Sequence, residues 1–219
     1  MAIYNAGYLS PIRKKLGNAV GRKWRNLDVL AVYQPFVHNP NTDSQKSVRS
    51  RFGAAATLAM HMAAAVEMGF EATCRGTKIP QRSMFIKKNW SEFLADTPTH
   101  VTVDYTELKL SAGGLTVPSK NGNLDFSDPL SVNVAFNAYS GESTATIDKD
   151  DVVVVVAFDP TANMCYLKEG SRDDNGVTVS VDMLSNGNTV YVYAFAIGGG
   201  SLTLGKASET VYLGSGTIS

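Results

Sequence analysis

Three histidines and two cysteines in 219 residues leave little of the usual material for chemistry. His38, His61 and His100 are not within helical or hairpin reach of one another. No zinc set and no Ser-His-Asp group can therefore be read from spacing. Cys74 and Cys165 form no C-x-x-C or other ligand spacing. Two thiols do not make a disulfide scaffold, so the chain is expected to fold in a reducing compartment. Long apolar runs are missing too. The longest, Phe52 to Val66, is interrupted by Thr57 and His61 and falls short of the roughly 18–20 residues a membrane span needs. The opening "MAIYNAGYLSPIRKK" has no apolar stretch before a cleavage site. The expectation is a soluble protein with no membrane span, made in the cytoplasm.

Net charge is also absent, but only in total. Twenty basic residues cancel twenty acidic ones. Residues 1–99 carry 14 Lys/Arg against 6 Asp/Glu, a balance of +8, and residues 100–219 carry the reverse, −8. Segregation of this size points to polyanion contact at one end or to head-to-tail attraction between copies. An apolar fraction of 44% is that of a folded protein.

Three textures follow one another along the chain. In residues 1–40, "AVGRKW" and "DVLAVYQPF" are β-prone, and "RNLD" at 25–28 reads as a hairpin loop. Gly17 and Gly21 suit turns or close backbone approach. In residues 41–97, "NPNTDSQ" opens a helix, with an extended residue before Pro40, Thr42 as N-cap and Gln45 three residues on. Val48, Phe52, Ala55, Ala59, Met62 and Val66 then recur on one helical face, and Gly69 is the expected stop. The alanines on that face predict a close-packed neighbour. A second helix is predicted over "SMFIKKNWSEFLAD", with Phe85 or Ile86, Trp90, Phe93 and Leu94 inward. After Pro98 the helical period vanishes. Seven segments alternate apolar and polar residues between Gly/Asn/Asp/Ser turns, from "HVTVDYTELKLS" to "ASETVYLG". That spacing predicts an antiparallel immunoglobulin-like β-sandwich at 98–219, without the Cys…Trp…Cys signature. The run Val152–Val156 should be a central strand covered on both faces. The fold class is thus α+β: a β-hairpin arm, a helical segment and a sandwich.

Candidate sites are few. Gly17 and Gly21 are too close together for a Walker loop, and no apolar strand precedes them. "DKDD" at 148–151 and "DDNG" at 173–176 have the composition of calcium loops but not the EF-hand spacing, so they read as turns with weak calcium binding as the alternative. No catalytic residue, cofactor or metal ligand can be assigned. What remains is basic: Arg13, Lys14, Lys15, Arg22, Lys23 and Arg25, with Trp24, Tyr4, Tyr8 and Tyr33 nearby, and Lys46, Arg49 and Arg51 on the first turns of the helix. Arginine beside a large aromatic is common in protein interfaces, with Trp24 as anchor. The same residues suit phosphates and stacked bases.

Several stretches together resemble a family of uncharacterised proteins found in Bacteroidota and their mobile elements and phages. These are "GNAVGRKWRNLDVLAVYQP", "NPNTDSQKSVRSRF", "VDYTELKLSAGGL" and the terminal "VYVYAFAI…ASETVYLG". The resemblance is carried by the G-N-x-V-G…W hairpin and by the helix start at Asn39, Thr42, Gln45, Arg49 and Phe52. It covers nearly the whole chain and brings no established activity. It implies a hairpin, a helical middle and an immunoglobulin-like C-terminal domain, and it raises the expectation of a virion component. The charged "GRKWRNLD" departs from the less basic, glycine-bearing hairpin tip that the family would suggest. The expected function is therefore non-enzymatic assembly as a capsid, decoration or tail protein in a homo-oligomer or with other virion proteins. Nucleic-acid binding through the basic hairpin and a surface filament or adhesin subunit are the rivals.

Overall fold

The computed structural model of the chain describes residues 2–4, 14–25, 27–36, 40–95, 97–122, 124–128, 130–181 and 187–218. The chain falls into two units, 1–42 and 43–219. The smaller is one antiparallel sheet of β1 (Ala2–Tyr4), β2 (Lys14–Leu16), β3 (Ala19–Trp24) and β4 (Leu27–Val32), in the order β1-β4-β3-β2. Both hairpin turns are tight. Gly17 turns β2 into β3 at φ +58°, where a side chain would be strained. Trp24 pairs with Leu27 across the second turn, so the loop expected at 25–28 is shorter than predicted, and Leu27 and Asp28 belong to β4. Arg25 holds φ +52° in that turn, the left-handed backbone that two-residue hairpins demand.

The larger unit begins with a helix, α1 (Asp43–His61), directly after Thr42, as the N-cap signal predicts. The helical stretch is longer than expected but broken. Met62 leaves helical geometry, and α2 (Ala63–Cys74) carries the chain past Gly69. Gly69 is not a stop. It is buried inside α2, and a Cβ there would lie 2.2 Å from the carbonyl oxygen of Leu110, so glycine permits a close approach between helix and loop. The second predicted helix is cut short as well. It forms α3 (Gln81–Lys88), then a 3-10 turn at Trp90–Glu92, and Phe93–Ala95 becomes strand β5, paired with β6 (Val101–Val103). In a strand alternate residues face opposite ways. Phe93 is accordingly buried, whereas Leu94, expected inward, is exposed.

The remaining strands are β7 (Ser131–Ala135), β8 (Val152–Asp159), β9 (Met164–Ser171), β10 (Gly176–Ser180), β11 (Thr189–Ile197) and β12 (Val211–Thr217). Each overlaps a segment predicted from alternation, but β9 runs one residue past its segment to Ser171 and β12 three residues past Gly214 to Thr217. "HVTVDYTELKLS" contributes only the three residues of β6 before the chain loops away. A four-stranded antiparallel sheet, β12-β11-β8-β9, lies at the centre, and β7 pairs with β10 in a separate ribbon.

The central sheet is covered on both faces, which is why Val152–Val156 lacks polar interruptions. Val154, Val156, Phe158, Tyr193 and Phe195 point to one face and pack with Ala55, Ala59, Met62, Val66, Phe70 and Phe85 of the helices. Val153, Val155, Ala157, Val190, Val192 and Ala194 point to the other and meet Val132, Val134, Val177 and Val179 of the ribbon. The central sheet is therefore the middle of three layers; the alanines of α1 join the core on its helical side, while the elements that approach α1 most closely are α3 and β5. Burying each such valine is worth about 1.5–3 kcal/mol before chain entropy is counted.

Candidate functional site

Strand register distributes the basic residues of the arm. Lys15 pairs with Val20, Arg22 with Val29 and Trp24 with Leu27, so Lys15, Arg22 and Trp24 share one face of the small sheet. On that face the Lys15 ammonium sits 3.8 Å from the centre of the Tyr33 ring. Lys14 pairs with Gly21, and Lys23 lies opposite Asp28, which places Lys14 and Lys23 on the other face. What is a cluster in sequence is thus two smaller sets in space, one of them beside a carboxylate. Arg25 occupies the hairpin turn. Arg13 and Tyr8, like His38 and Asn39, lie outside the described residues, as does the side chain of Tyr4.

Little of this sheet is buried. Among the described residues of 14–36 only Gly21 and Val29 are. Trp24 is 53% exposed and Val32 76%, and Leu16, Tyr33 and Phe36 are exposed with them. By the same register Trp24 and Tyr33 lie on the face of Lys15, and Leu16 and Val32 on the opposite one.

Arg49 belongs to the larger unit and is exposed on α1. Beside it Val48 and Phe52, predicted to face the core, are 54% and 55% exposed. The apolar stripe of α1 is real, but burial begins only at Ala55, so its first turns carry that stripe bare. Arg51, grouped with Lys46 and Arg49 by sequence, has another task. Its guanidinium stacks 4.5 Å over Trp90 and Nη2 donates to the Trp90 carbonyl at 2.6 Å. Lys46 pairs with Asp43 one turn back, at 3.0 Å and in solvent.

The acidic loops turn the chain. The Asp148 carboxylate accepts from the Asp150 amide at 3.0 Å, and this bond holds its pKa below the ordinary value. Asp151 is fully buried. It accepts from the Thr203 hydroxyl at 2.5 Å and from the Asp148 amide at 2.9 Å, and it stands 3.7 Å from Nε of Arg172. Arg172, itself buried, donates through Nη2 to the Thr116 carbonyl. Desolvation lowers its pKa and the Asp151 charge opposes that shift. Asp174 closes the turn at 171–174 by accepting from the Ser171 amide at 2.9 Å. Among the described residues no three His, Cys, Asp or Glu come together in a way that could hold a metal ion. The Asp151–Arg172 pair was not visible in the sequence, since residues 21 apart in a β region have no periodic relation. Cys165 is packed in the helix-facing core, and burial pushes its thiol pKa up to about 12. No helix among the described residues is long and apolar enough to cross a membrane.

Fold and surfaces together define an α+β protein with a sparsely buried basic sheet joined to a well-packed antiparallel body. The chain belongs to a family of unknown function (DUF6266), whose model matches residues 11–214. No curated protein and no solved structure matches it.

Proposed function

We propose that this chain is a non-enzymatic structural protein that self-associates through its N-terminal sheet, as a virion component such as a capsid, decoration or tail protein. One observation carries the reading. The four-stranded sheet and the residues just after it leave Leu16, Trp24, Val32, Tyr33 and Phe36 exposed, while only Gly21 and Val29 are buried among the described residues of 14–36. Small sheets gain stability when their apolar side chains are covered, and partners on both faces would cover Trp24 and Tyr33 on one and Leu16 and Val32 on the other. The bare stripe at Val48 and Phe52 adds a second apolar contact, and opposite charge on the two halves favours head-to-tail association. The virion assignment rests on the resemblance to proteins of Bacteroidota phages and mobile elements.

Electron microscopy of the purified chain tests it: rings, tubes or shells are expected, and dispersed monomers at high concentration count against it. A second reading, nucleic-acid binding, is favoured by Lys15 and Arg22 sharing a face with Tyr33 and Trp24. It predicts polyanion affinity that falls steeply with salt concentration. Splitting of the remaining lysines onto the opposite face makes it the weaker of the two.

A further inference from the structure

The bare stretch of α1 has a shape that matches itself. Val48, Phe52 and Met60 are each more than half exposed, and Ala56 between them is half-buried. Standing four residues apart, the four side chains form one continuous ridge along the helix. None of them belongs to the core that α1 shares with the central sheet. The next row, Arg49, Gly53 and Thr57, is exposed too and is low at Gly53 and Thr57. Glycine inside a helix is destabilising relative to alanine. Among the described residues nothing beyond its own helix lies within 4 Å of where a Gly53 Cβ would be, so no contact within the chain calls for glycine there. Gly69 in α2 is the contrast, since the Leu110 carbonyl occupies that space.

A tall apolar row beside a low one is what ridge-into-groove packing of two helices requires, and the same helix supplies both parts. A second copy therefore fits: its ridge enters this groove while this ridge enters its groove. Running in the same sense, the two helices would set Phe52 on Phe52 and Arg49 beside Arg49. Running in opposite senses, Phe52 meets Ala56, and the two Arg49 residues stand about 15 Å apart along the axis, beyond the screening length of about 8 Å. We infer that α1 packs against α1 of a second copy about a two-fold axis, in opposite senses, with each Phe52 seated over Gly53 and Ala56 of the other chain. One helix crossing buries less than the roughly 1,200 Å² of a stable interface, so this contact adds to that of the arm within an assembly and does not replace it. In that respect the inference rests on the self-association proposed above, and it adds the partner surface and its symmetry.

Disulfide trapping and sedimentation velocity on the full chain test this. Phe52→Cys and Ala56→Cys chains are mixed at assembling concentration and mildly oxidised, and the linked peptides are identified by mass spectrometry. Links from 52 to 56 should exceed 52–52 and 56–56 links beyond the share that random pairing gives. Cys74 and Cys165 are packed in or against the core and do not compete. Gly53→Ala should raise the melting temperature of the dilute chain, because alanine is the better helix former and has room there. The same change should weaken association about fivefold, and Phe52→Lys about tenfold, because both spoil the interlocking rows. A glycine with a role only within the chain would not separate stability from association in this way. A wild-type chain that stays monomeric would overturn the self-association reading and this inference with it. A wild-type chain that associates without an excess of 52–56 links, or no more tightly than Gly53→Ala and Phe52→Lys, would overturn this inference alone.

Discussion

The molecule contains two four-stranded antiparallel sheets with opposite patterns of burial. In the central sheet β12-β11-β8-β9, residues 153–159 of β8 are all buried, and side chains alternate between a helical layer and a β-ribbon. In the N-terminal sheet β1-β4-β3-β2, only Gly21 and Val29 are buried among the described residues of β2, β3 and β4, and apolar and basic residues share both faces. Equal strand number therefore says little about what a sheet is for. Where both faces are covered, the side chains serve stability. Where they are bare and still rich in Trp, Tyr, Leu and Val, the self-association proposed above would supply the covering.

The sharpest way to break this contrast is to charge the buried sheet. Val154 is fully buried opposite Phe195, and Val154→Asp would bury a carboxylate with no partner. No soluble, cooperatively melting protein is expected, and circular dichroism with thermal melting checks it. Next in size is the polar staple beside that sheet. Asp151→Ala leaves Arg172 buried and unpaired, which should lower unfolding free energy by about 3–5 kcal/mol in urea titrations. A loss below about 1 kcal/mol would mean that the pair is incidental.

Acid offers a milder perturbation of the same unit. The Thr106 hydroxyl and amide donate to Asp104, and those of Ser127 act on Asp125. The Leu130 amide and Ser131 hydroxyl donate to Asp128, and the Asp150 amide to Asp148. All four carboxyls are thereby held below the value of 3.8 that they start from. A carboxyl with a lower pKa folded than unfolded binds fewer protons in the native state. Its contribution is fully present above the unfolded pKa and is lost as pH falls through the folded one. Melting temperature should therefore be flat from neutrality to about pH 5 and drop below about pH 4.

The arm should answer differently. Replacing Arg22, Lys23 and Arg25 by alanine should leave the unfolding free energy within about 0.5 kcal/mol, because exposed charges contribute little. Association, read by sedimentation velocity, should nevertheless be lost. Trp24→Ala should remove it even at high salt, where charge is screened and only packing is left. Reduced stability with association intact would make the stretch ordinary core.

Legibility from sequence followed the same division. β8 was plain, because an uninterrupted run of valines fits little except a strand covered on both faces. α1 was plain from Thr42 and the spacing of its alanines. The break at Met62, the continuation of α2 through Gly69 and the strand at Phe93–Ala95 were not. The last two are decided by tertiary contacts: Leu110 against Gly69, and Val103 against Phe93. The basic stretch was legible as composition only. Register, which composition does not encode, put Lys14 and Lys23 on the face opposite to Lys15 and Arg22. The exposure of Val48 and Phe52 could not be read either, since periodicity marks a face without saying where its cover ends.

Hydrogen exchange at several protein concentrations tests the central claim most directly. Amides of 19–24 and 27–32 should exchange readily in dilute solution and gain protection as concentration rises, while those of 153–158 and 190–196 stay protected throughout. Equal and concentration-independent protection of both sheets would contradict it.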